Sequence, residues 1–229
     1  MKTIGLIGGM SWESSVEYYR LINQFTKRRL GGHHNARSLM LTVNFHEIET
    51  LQREGEWDHL GKLMQEAAAQ LQAGGADFIV LCTNTMHKVA QQIEAAVTIP
   101  LLHIADPTAA AIKARGFTCI GLLGTCFTME HDFYRGRMET LHGLSMLTPD
   151  AADRAIVHRV IYDELCHGTI RDESRREYQR VIAALTARGA QAVILGCTEI
   201  TLLIGPQCSS LPVFDTTRLH AEAAALLSL

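Results

Sequence analysis

Hydrophobic residues recur along this chain at two alternating spacings. Short runs of aliphatic and β-branched residues predict strands, and the longer segments between them carry apolar residues at helical spacing. Strands are predicted at residues 3–7, 38–43, 78–81, 101–104, 118–123, 144–147, 192–195 and 212–214. Helices are predicted at residues 14–30, 56–73, 85–95, 107–113, 129–141, 152–167, 174–188 and 217–227. The alternation is typical of an α/β fold in which helices connect parallel strands.

The two halves of the chain resemble each other. Residues 75–84 match residues 189–198 at an offset of 114, and the strand and turn signals around them recur at nearly the same offset. Such signals arise in any α/β unit, but the shared offset favours a true repeat. A repeat this long exceeds a solenoid unit and predicts two fused lobes. The predicted lobes are residues 1–114 and 115–215, with a C-terminal helix at 216–229 that could pack back on the first lobe.

We expect two pseudo-symmetric lobes, each with a parallel sheet flanked by helices. Ligands of parallel sheets bind beyond the carboxyl ends of the strands, so two such lobes would place the active site between them. Apolar strands stop abruptly at two corresponding runs, Cys82-Thr83-Asn84-Thr85 and Gly196-Cys197-Thr198-Glu199. Each run opens a predicted helix, whose free N–H groups and dipole can hold an anion and lower the pKa of a thiol.

Composition narrows the classes of function. The 229 residues are 47% apolar, which suffices for a hydrophobic core. The net charge is −3 and no basic run is longer than Lys27-Arg28-Arg29, which argues against nucleic-acid binding. No apolar stretch approaches the ~18 residues of a membrane helix, and the first apolar run has the features of a strand rather than a signal peptide. Six cysteines without a C-x-x-C pair and eleven histidines without metal-ligand spacing predict free thiols, no metal site and a cytoplasmic protein.

Three segments together resemble a known family. They are Asn84-Thr85-Met86-His87, the run from Gly196 to Glu199, and Gly8-Gly9-Met10-Ser11. The combination is similar to the aspartate/glutamate racemases of the aspartate/glutamate/hydantoin racemase superfamily, and the resemblance covers essentially the whole chain. It implies two α/β lobes with the active site between them, frequent dimers, and racemisation by two opposed residues, usually both cysteines. It also implies that neither pyridoxal phosphate, nor a metal, nor any other cofactor is needed.

One of the two family cysteines is replaced here. The second maps onto Cys197, but the first maps onto Thr83, with Cys82 one place earlier. The internal repeat gives the same assignment, because Thr83 aligns with Cys197. Successive strand residues point to opposite faces, so Cys82 should not substitute for Thr83. The chain therefore most resembles the L-aspartate/glutamate-specific racemases, which carry this threonine and cysteine pair.

Racemisation needs a base and an acid on opposite faces of Cα. An ordinary thiol of pKa ~8.5 is about 3% ionised at pH 7, so Cys197 is a credible base for the L-enantiomer. A hydroxyl as weak as water would cost on the order of 12 kcal/mol to ionise at pH 7, so Thr83 cannot be a standing base. We expect Thr83 to donate or relay a proton on the D-side; the alternative is that it only caps the following helix.

An acidic substrate also needs groups that bind its two carboxylates and its ammonium group. The resemblance and the residue types suggest Met10 and Ser11 at the mouth, with Glu199 available to the ammonium. The candidates for the α-carboxylate are Asn84, Thr85, Thr125 and Thr198. Those for the side-chain carboxylate are Gln52, Arg53 and His167, of which Arg53 and His167 could equally be solvated helix ends.

Other interpretations stay open at this point. The chain could catalyse another reaction of the superfamily, as a maleate isomerase, hydantoin racemase or decarboxylase. With one thiol replaced, it could also be a catalytically silent amino-acid-binding protein. The sequence does not choose between aspartate and glutamate. His87 could orient groups near Thr83 or be an ordinary helix residue, and Cys82, Cys119, Cys126 and Cys166 are expected to be core thiols.

Overall fold

Eight short strands form two separate sheets, and all pairs of neighbouring strands in them are parallel. The first sheet contains β1 (Thr3–Gly8), β2 (Arg37–Thr42), β3 (Phe78–Leu81) and β4 (Leu101–Leu102), in the order β2-β1-β3-β4. The second contains β5 (Cys119–Gly124), β6 (Ser145–Leu147), β7 (Ala192–Gly196) and β8 (Val213–Asp215), in the order β6-β5-β7-β8. The two orders are the same, and the predicted α/β class with two parallel sheets is confirmed.

Helices connect the strands of both sheets. In the first part of the chain they are α1 (Trp12–Leu30), α2 (Phe45–Glu54), α3 (Trp57–Ala73), α4 (Ala90–Ala96) and α5 (Ala105–Ala114). In the second part they are α6 (Cys126–Glu130), α7 (Asp132–Thr140), α8 (Ala151–Asp163), α9 (Asp172–Ala187), α10 (Ile200–Leu203) and α11 (Thr216–Ser228). Short 3-10 helices cover Thr85–Val89 and Leu165–His167. None of these helices combines the length and the apolar character that crossing a bilayer requires.

The computed structural model describes all residues from 1 to 229 and divides into two units. Unit 1 comprises residues 1–104 and 220–229, and unit 2 comprises residues 105–219. The division falls ten residues before the one that the sequence repeat suggests, because α5 contacts α7 and β8 of unit 2. Most of α11 belongs to unit 1.

The central strands are apolar along their whole length because both faces of the sheet are covered. In unit 1, Leu6, Val80 and Cys82 pack into one cluster with α1 and α11. Ile7 and Leu81, on the other face, pack into a second cluster with α2 and α3. Cys82 is fully buried, as predicted, and burial raises the pKa of its thiol. The alternation of side chains thus turns Cys82 into the core.

Several helix predictions need correction. The sequence patterns missed α2, although Asn44 caps it by accepting a hydrogen bond from the His46 N–H and donating one to Glu47. The predicted helix at 129–141 is two helices, α6 and α7, because His131 is extended between them. The segment predicted as a helix at 85–95 begins as a 3-10 helix and continues as α4. The helix predicted to reach residue 167 ends at Asp163, followed by a 3-10 turn.

Two glycines with nearly the same backbone conformation allow a matched stability test. Gly9 has φ +94° and Gly75 has φ +93°, but only at Gly9 would a Cβ meet backbone, 2.3 Å from the Val43 carbonyl oxygen. Gly75→Ala should cost about 1–2 kcal/mol of unfolding free energy through the left-handed φ alone. Gly9→Ala should cost about 1–3 kcal/mol more because the added methyl group overpacks the turn. Urea unfolding of the two variants measures the difference; equal losses would contradict the close approach at Gly9.

Candidate active site

The glycine-rich turn after β1 is fixed by the first turn of α1. The Gly9 N–H donates to Ser15 Oγ at 2.7 Å, and Ser11 Oγ caps α1 by accepting from the Ser14 N–H at 3.3 Å. Met10 and Ser11 are both buried. Ser14 Oγ donates to the carbonyl oxygen of Cys82 at 3.3 Å, which connects this turn to the end of β3. The turn with Met10 and Ser11 and the run that begins at Cys82 therefore lie at the same edge of the first sheet.

Thr83 is the first residue beyond the ladder of β1 and β3. The Cys82 N–H donates to the Ile7 carbonyl oxygen at 2.9 Å, and the Thr83 N–H turns back to the Leu81 carbonyl oxygen at 2.9 Å. Thr83 is half-buried, whereas its neighbour Asn84 is buried. The 3-10 helix that follows has no side-chain cap, so helix capping does not account for the threonine.

His87 holds the backbone of Thr83 in place. Its Nδ1 lies 2.7 Å from the Thr83 carbonyl oxygen, and its Nε2 lies 3.1 Å from the backbone nitrogen of Ile104. Because Ile104 offers an N–H, Nε2 must accept, and Nδ1 therefore carries the proton that is donated to Thr83. The ring is buried and stacks edge-on against His103 with centroids 4.5 Å apart. A neutral imidazole thus joins the end of β3 to the chain just beyond β4.

Gln52 and Arg53 are adjacent in α2 but have different surroundings. Gln52 is buried, and its Nε2 donates to Met86 Sδ at 3.1 Å, which places it beside the segment that follows Thr83. Arg53 is exposed and lies 3.6 Å from the Glu49 carboxylate, one helical turn away. The missed helix explains the difference, since neighbouring residues of a helix point about 100° apart.

The corresponding edge of the second sheet carries Cys197. Gly124 lies opposite Gly196 at the ends of β5 and β7, and a Cβ on Gly124 would lie 3.1 Å from the Gly196 carbonyl oxygen. Thr125 follows directly and caps α6, accepting from the Thr128 N–H at 3.3 Å. Thr198 follows Cys197, and its Oγ1 lies 3.0 Å from Oγ1 of Thr217 at the start of α11. Thr125, Cys197 and Thr198 therefore occupy one edge of the sheet in unit 2.

The thiol of Cys197 is hydrogen-bonded to a carboxylate. Cys197 Sγ donates to Glu199 Oε2 at 2.9 Å. Burial raises the pKa of the Cys197 thiol well above its ordinary value, and the charge of Glu199, the nearby Cys166 thiol and the bond to Glu199 raise it further. The sequence-based expectation of a lowered thiol pKa is therefore wrong. The helix that follows, α10, has only four residues, so its dipole is weak, and the carboxylate of Glu199 opposes it.

His167 lies in the 3-10 turn beyond α8. The turn contacts α10, and the neighbouring Cys166 is close enough to influence the Cys197 thiol, but the His167 side chain is exposed. A buried carboxylate anchors the turn: Glu164 Oε2 accepts from Ser174 Oγ at 2.5 Å, and Oε1 accepts from Arg159 at 3.3 Å. Neither Glu164 nor Ser174 was a sequence candidate, because only the buried contact distinguishes them from surface helix residues.

The six cysteines are all free thiols, as predicted. Only Cys82 is fully buried in an apolar cluster, as predicted for a core thiol. Cys119, Cys126 and Cys166 are half-buried, so they are less enclosed than expected. Cys126 lies 3.9 Å from Nε2 of His158, and burial raises the pKa of this thiol.

Replacing Glu199 with glutamine should make Cys197 easier to ionise. The neutral amide removes the charge that opposes the thiolate, so the thiol pKa should fall relative to the parent protein, and the pH profile of Cys197 alkylation should move to lower pH. Iodoacetamide labelling across pH, with the modified cysteine identified by mass spectrometry, measures this. Cys126, which does not contact Glu199 through a hydrogen bond, is the internal control. An unchanged profile at Cys197 would show that the carboxylate does not control the thiol.

Comparison with known proteins gives consistent relatives over the whole chain. A family model described as Asp/Glu/hydantoin racemase matches residues 7–224. RacX of Bacillus subtilis, a broad specificity amino-acid racemase, is 20% identical over 225 residues, which are 96% of this chain and 95% of RacX. Both units of the chain are thus included in the match.

Two solved structures are similar over nearly their full length. A Yersinia pestis protein provisionally assigned as an Asp/Glu racemase is 56% identical, with a TM-score of 0.94 over 100% of this chain and 99% of that one. PH1733 of Pyrococcus horikoshii OT3, an aspartate racemase homologue, is 30% identical, with a TM-score of 0.86 over 100% and 99% of the two chains. The arrangement of strands and helices is therefore shared along the whole chain.

Proposed function

The chain belongs to the Asp/Glu/hydantoin racemase family and is an amino-acid racemase, and from that premise we propose that it interconverts the enantiomers of aspartate or glutamate without a cofactor. One observation carries the mechanism: the two matching strand ends of the repeated fold each present a group that can exchange a proton, Thr83 after β3 and Cys197 after β7. We assign these two groups to opposite faces of the substrate Cα.

Cys197 is the base that acts on the L-enantiomer in this proposal. Its thiol is protonated in the free protein, so ionisation must accompany substrate binding. The substrate ammonium near Glu199 would offset the negative charge that holds the thiol pKa high. The Cys197 proton passes to the Glu199 carboxylate with which it is already hydrogen-bonded. The thiolate then takes the Cα proton, and the electron pair of the C–H bond moves toward the α-carboxylate.

Thr83 supplies the proton on the other face. Its O–H bond breaks as the new Cα–H bond forms, and water returns a proton to the threonine oxygen. The proton that Glu199 took from Cys197 then passes to the hydroxide that is left, which restores the starting state. A full alkoxide would cost on the order of 12 kcal/mol at pH 7, so the water must protonate the oxygen as the hydroxyl donates. The hydrogen bond from His87 to the Thr83 carbonyl supports this role, because it restricts the backbone that positions the hydroxyl.

The remaining candidates bind the charged groups of the substrate. Met10 and Ser11 frame the turn in unit 1, and the α-carboxylate is assigned to polar groups at the two strand ends: Asn84, Thr85, Thr125 and Thr198. For the side-chain carboxylate, the contact with Met86 favours Gln52, and Arg53 and His167 are exposed side chains that could reach it from the surface. An amide in place of a buried cation would bind a carboxylate through its two N–H donors.

The proposed enzyme works in the cytoplasm and as a homodimer. Six cysteines without a disulfide suit a reducing compartment, where thiols persist. The resemblance to aspartate/glutamate racemases implies association of two copies.

Solvent exchange tests the reaction directly. In D₂O, the protein should replace the Cα proton of L-aspartate or L-glutamate with deuterium and produce the D-enantiomer, which NMR and chiral chromatography measure in the same sample. Cys197→Ala should slow both processes about 10²–10⁴-fold, the range of general acid–base catalysis. Cys82→Ala should retain activity, because that thiol is in the core. Absence of both exchange and inversion would favour another superfamily reaction or a binding protein.

The proposed role of Thr83 predicts that loss of its hydroxyl slows inversion of the substrate but not exchange of its Cα proton. Thr83→Val removes the hydroxyl at nearly constant volume, so inversion should fall about 10²-fold or more while Cys197 still exchanges the Cα proton of the L-enantiomer. Thr83→Ser, which keeps a hydroxyl, is the matched control and should retain inversion. Thr83→Cys should raise turnover of the D-enantiomer. Inversion at the parent rate in Thr83→Val would remove Thr83 from the mechanism.

A further inference from the structure

Helix α1 presents an apolar stripe to solvent. Trp12, Val16 and Tyr19 are 64%, 55% and 54% exposed. Their spacing of four and three residues puts them on one side of the helix, and we refer to them as the α1 stripe. The opposite side of α1 is already buried in the unit 1 core through Tyr18 and Ile22. A contiguous exposed row that includes two aromatic side chains is typical of a protein interface.

The α1 stripe borders the open edge of the first sheet. Asn23, one turn beyond Tyr19, accepts a hydrogen bond from the Ala36 N–H at 3.0 Å, immediately before β2. Strand β2 pairs with β1 only, so its outer edge has no partner strand. Met40 of β2 is 39% exposed and extends the apolar surface along this edge. The stripe and Met40 of the edge strand are therefore both exposed apolar parts of unit 1.

The charges of α1 indicate which partner fits. Its first turn carries Glu13, and its last turn carries Lys27, Arg28 and Arg29. A partner of one charge sign would be repelled at one end of this helix. A second α1 in antiparallel orientation instead places acidic ends against basic ends, and a twofold axis produces that arrangement twice.

We propose that two copies of this chain associate through the α1 stripe, with their α1 helices antiparallel about a twofold axis near Tyr19 and Arg20. Glu13 and Lys27 lie on either side of that point at about 10 Å each, at a rise of 1.5 Å per residue. Glu13 of one copy then faces Lys27 of the other. The proposal deepens the proposed homodimer by naming its surface, and it does not depend on which amino acid is racemised.

Placing a charge in the stripe should separate the two copies. Val16→Asp would put a carboxylate into the apolar part of the contact, so sedimentation equilibrium of the full chain should show a dimer dissociation constant raised about 100-fold or more. Leu141→Asp is the matched control, because Leu141 is at least as exposed, at 63% against 55% for Val16, but lies in unit 2. Circular dichroism confirms that both variants fold. A dimer that resists Val16→Asp, or that Leu141→Asp weakens equally, would overturn the assigned surface.

Charge reversal tests the antiparallel register. Glu13→Lys and Lys27→Glu should each weaken the dimer about threefold to tenfold, because each change places two like-charged pairs across the interface. The double variant restores both pairs and should return dissociation to near the parent value. If the double variant dissociates more readily than either single variant, the antiparallel register is wrong.

The same preparations distinguish failure of the α1 contact from failure of the proposed reaction. A parent protein that is monomeric at all concentrations would overturn both the homodimer and the α1 contact, whatever the solvent-exchange assay shows. A dimeric protein that does not exchange the Cα proton of aspartate or glutamate would overturn the proposed reaction and leave the surface supported.

Discussion

The register of two pairs of parallel strands is the constraint on which the proposed site depends. Ile7 lies opposite Leu81 where β1 meets β3, and Gly124 lies opposite Gly196 where β5 meets β7. Side chains alternate between the two faces of a strand, so a slip of one residue would exchange the positions of Cys82 and Thr83. The core contacts of Leu6, Val80 and Cys82 prevent that slip. Packing around an inert thiol therefore decides which residue occupies the strand end.

The two strand ends hold their exchangeable protons in different ways. At Thr83 the contact is with the backbone: neutral His87 donates to the carbonyl oxygen and accepts from Ile104, so the turn is fixed while the hydroxyl is not used as a cap. At Cys197 the contact is with the side chain, and the carboxylate of Glu199 holds the thiol proton. At Thr83 the protein fixes the position of the residue, and at Cys197 it controls the ionisation of the thiol. Both arrangements suit groups whose protons must move only when a substrate is bound.

Much of the fold and the positions of the two strand ends could be predicted from the sequence, because the sequence signals for them are local. Aliphatic runs located all eight strands, and the internal offset located the two corresponding ends. Helix α2 was missed because its ten residues bury only Ile48 and Gln52, too few for a clear apolar stripe, although Asn44 and Glu47 form a recognisable cap. The missing helix also concealed that Gln52 and Arg53 point in different directions.

The electrostatics of the site could not be predicted in the same way. A cysteine before a predicted helix suggested a lowered pKa. The direction of the pKa shift of Cys197, however, depends on burial, on the length of α10 and on where the Glu199 carboxylate points. Each of these is a property of the folded chain. Glu164 is a similar case, since its sequence context is that of a surface helix end and only its contact with Ser174 identifies it as a buried anchor.

A thiol and a hydroxyl differ widely in acidity, and thermodynamics limits how that difference can affect the two directions of racemisation. Enantiomers have the same free energy in water, so the equilibrium constant of racemisation is one, and kcat/KM must be equal in the two directions. A weak acid at Thr83 can therefore make D-enantiomer turnover slow only if the KM for that enantiomer is lower in proportion. Any preference for L-substrates must appear in the separate kcat and KM values, or as Cα exchange without inversion. The replacement of the first cysteine by threonine thus redistributes binding and turnover between enantiomers but cannot make the reaction run one way.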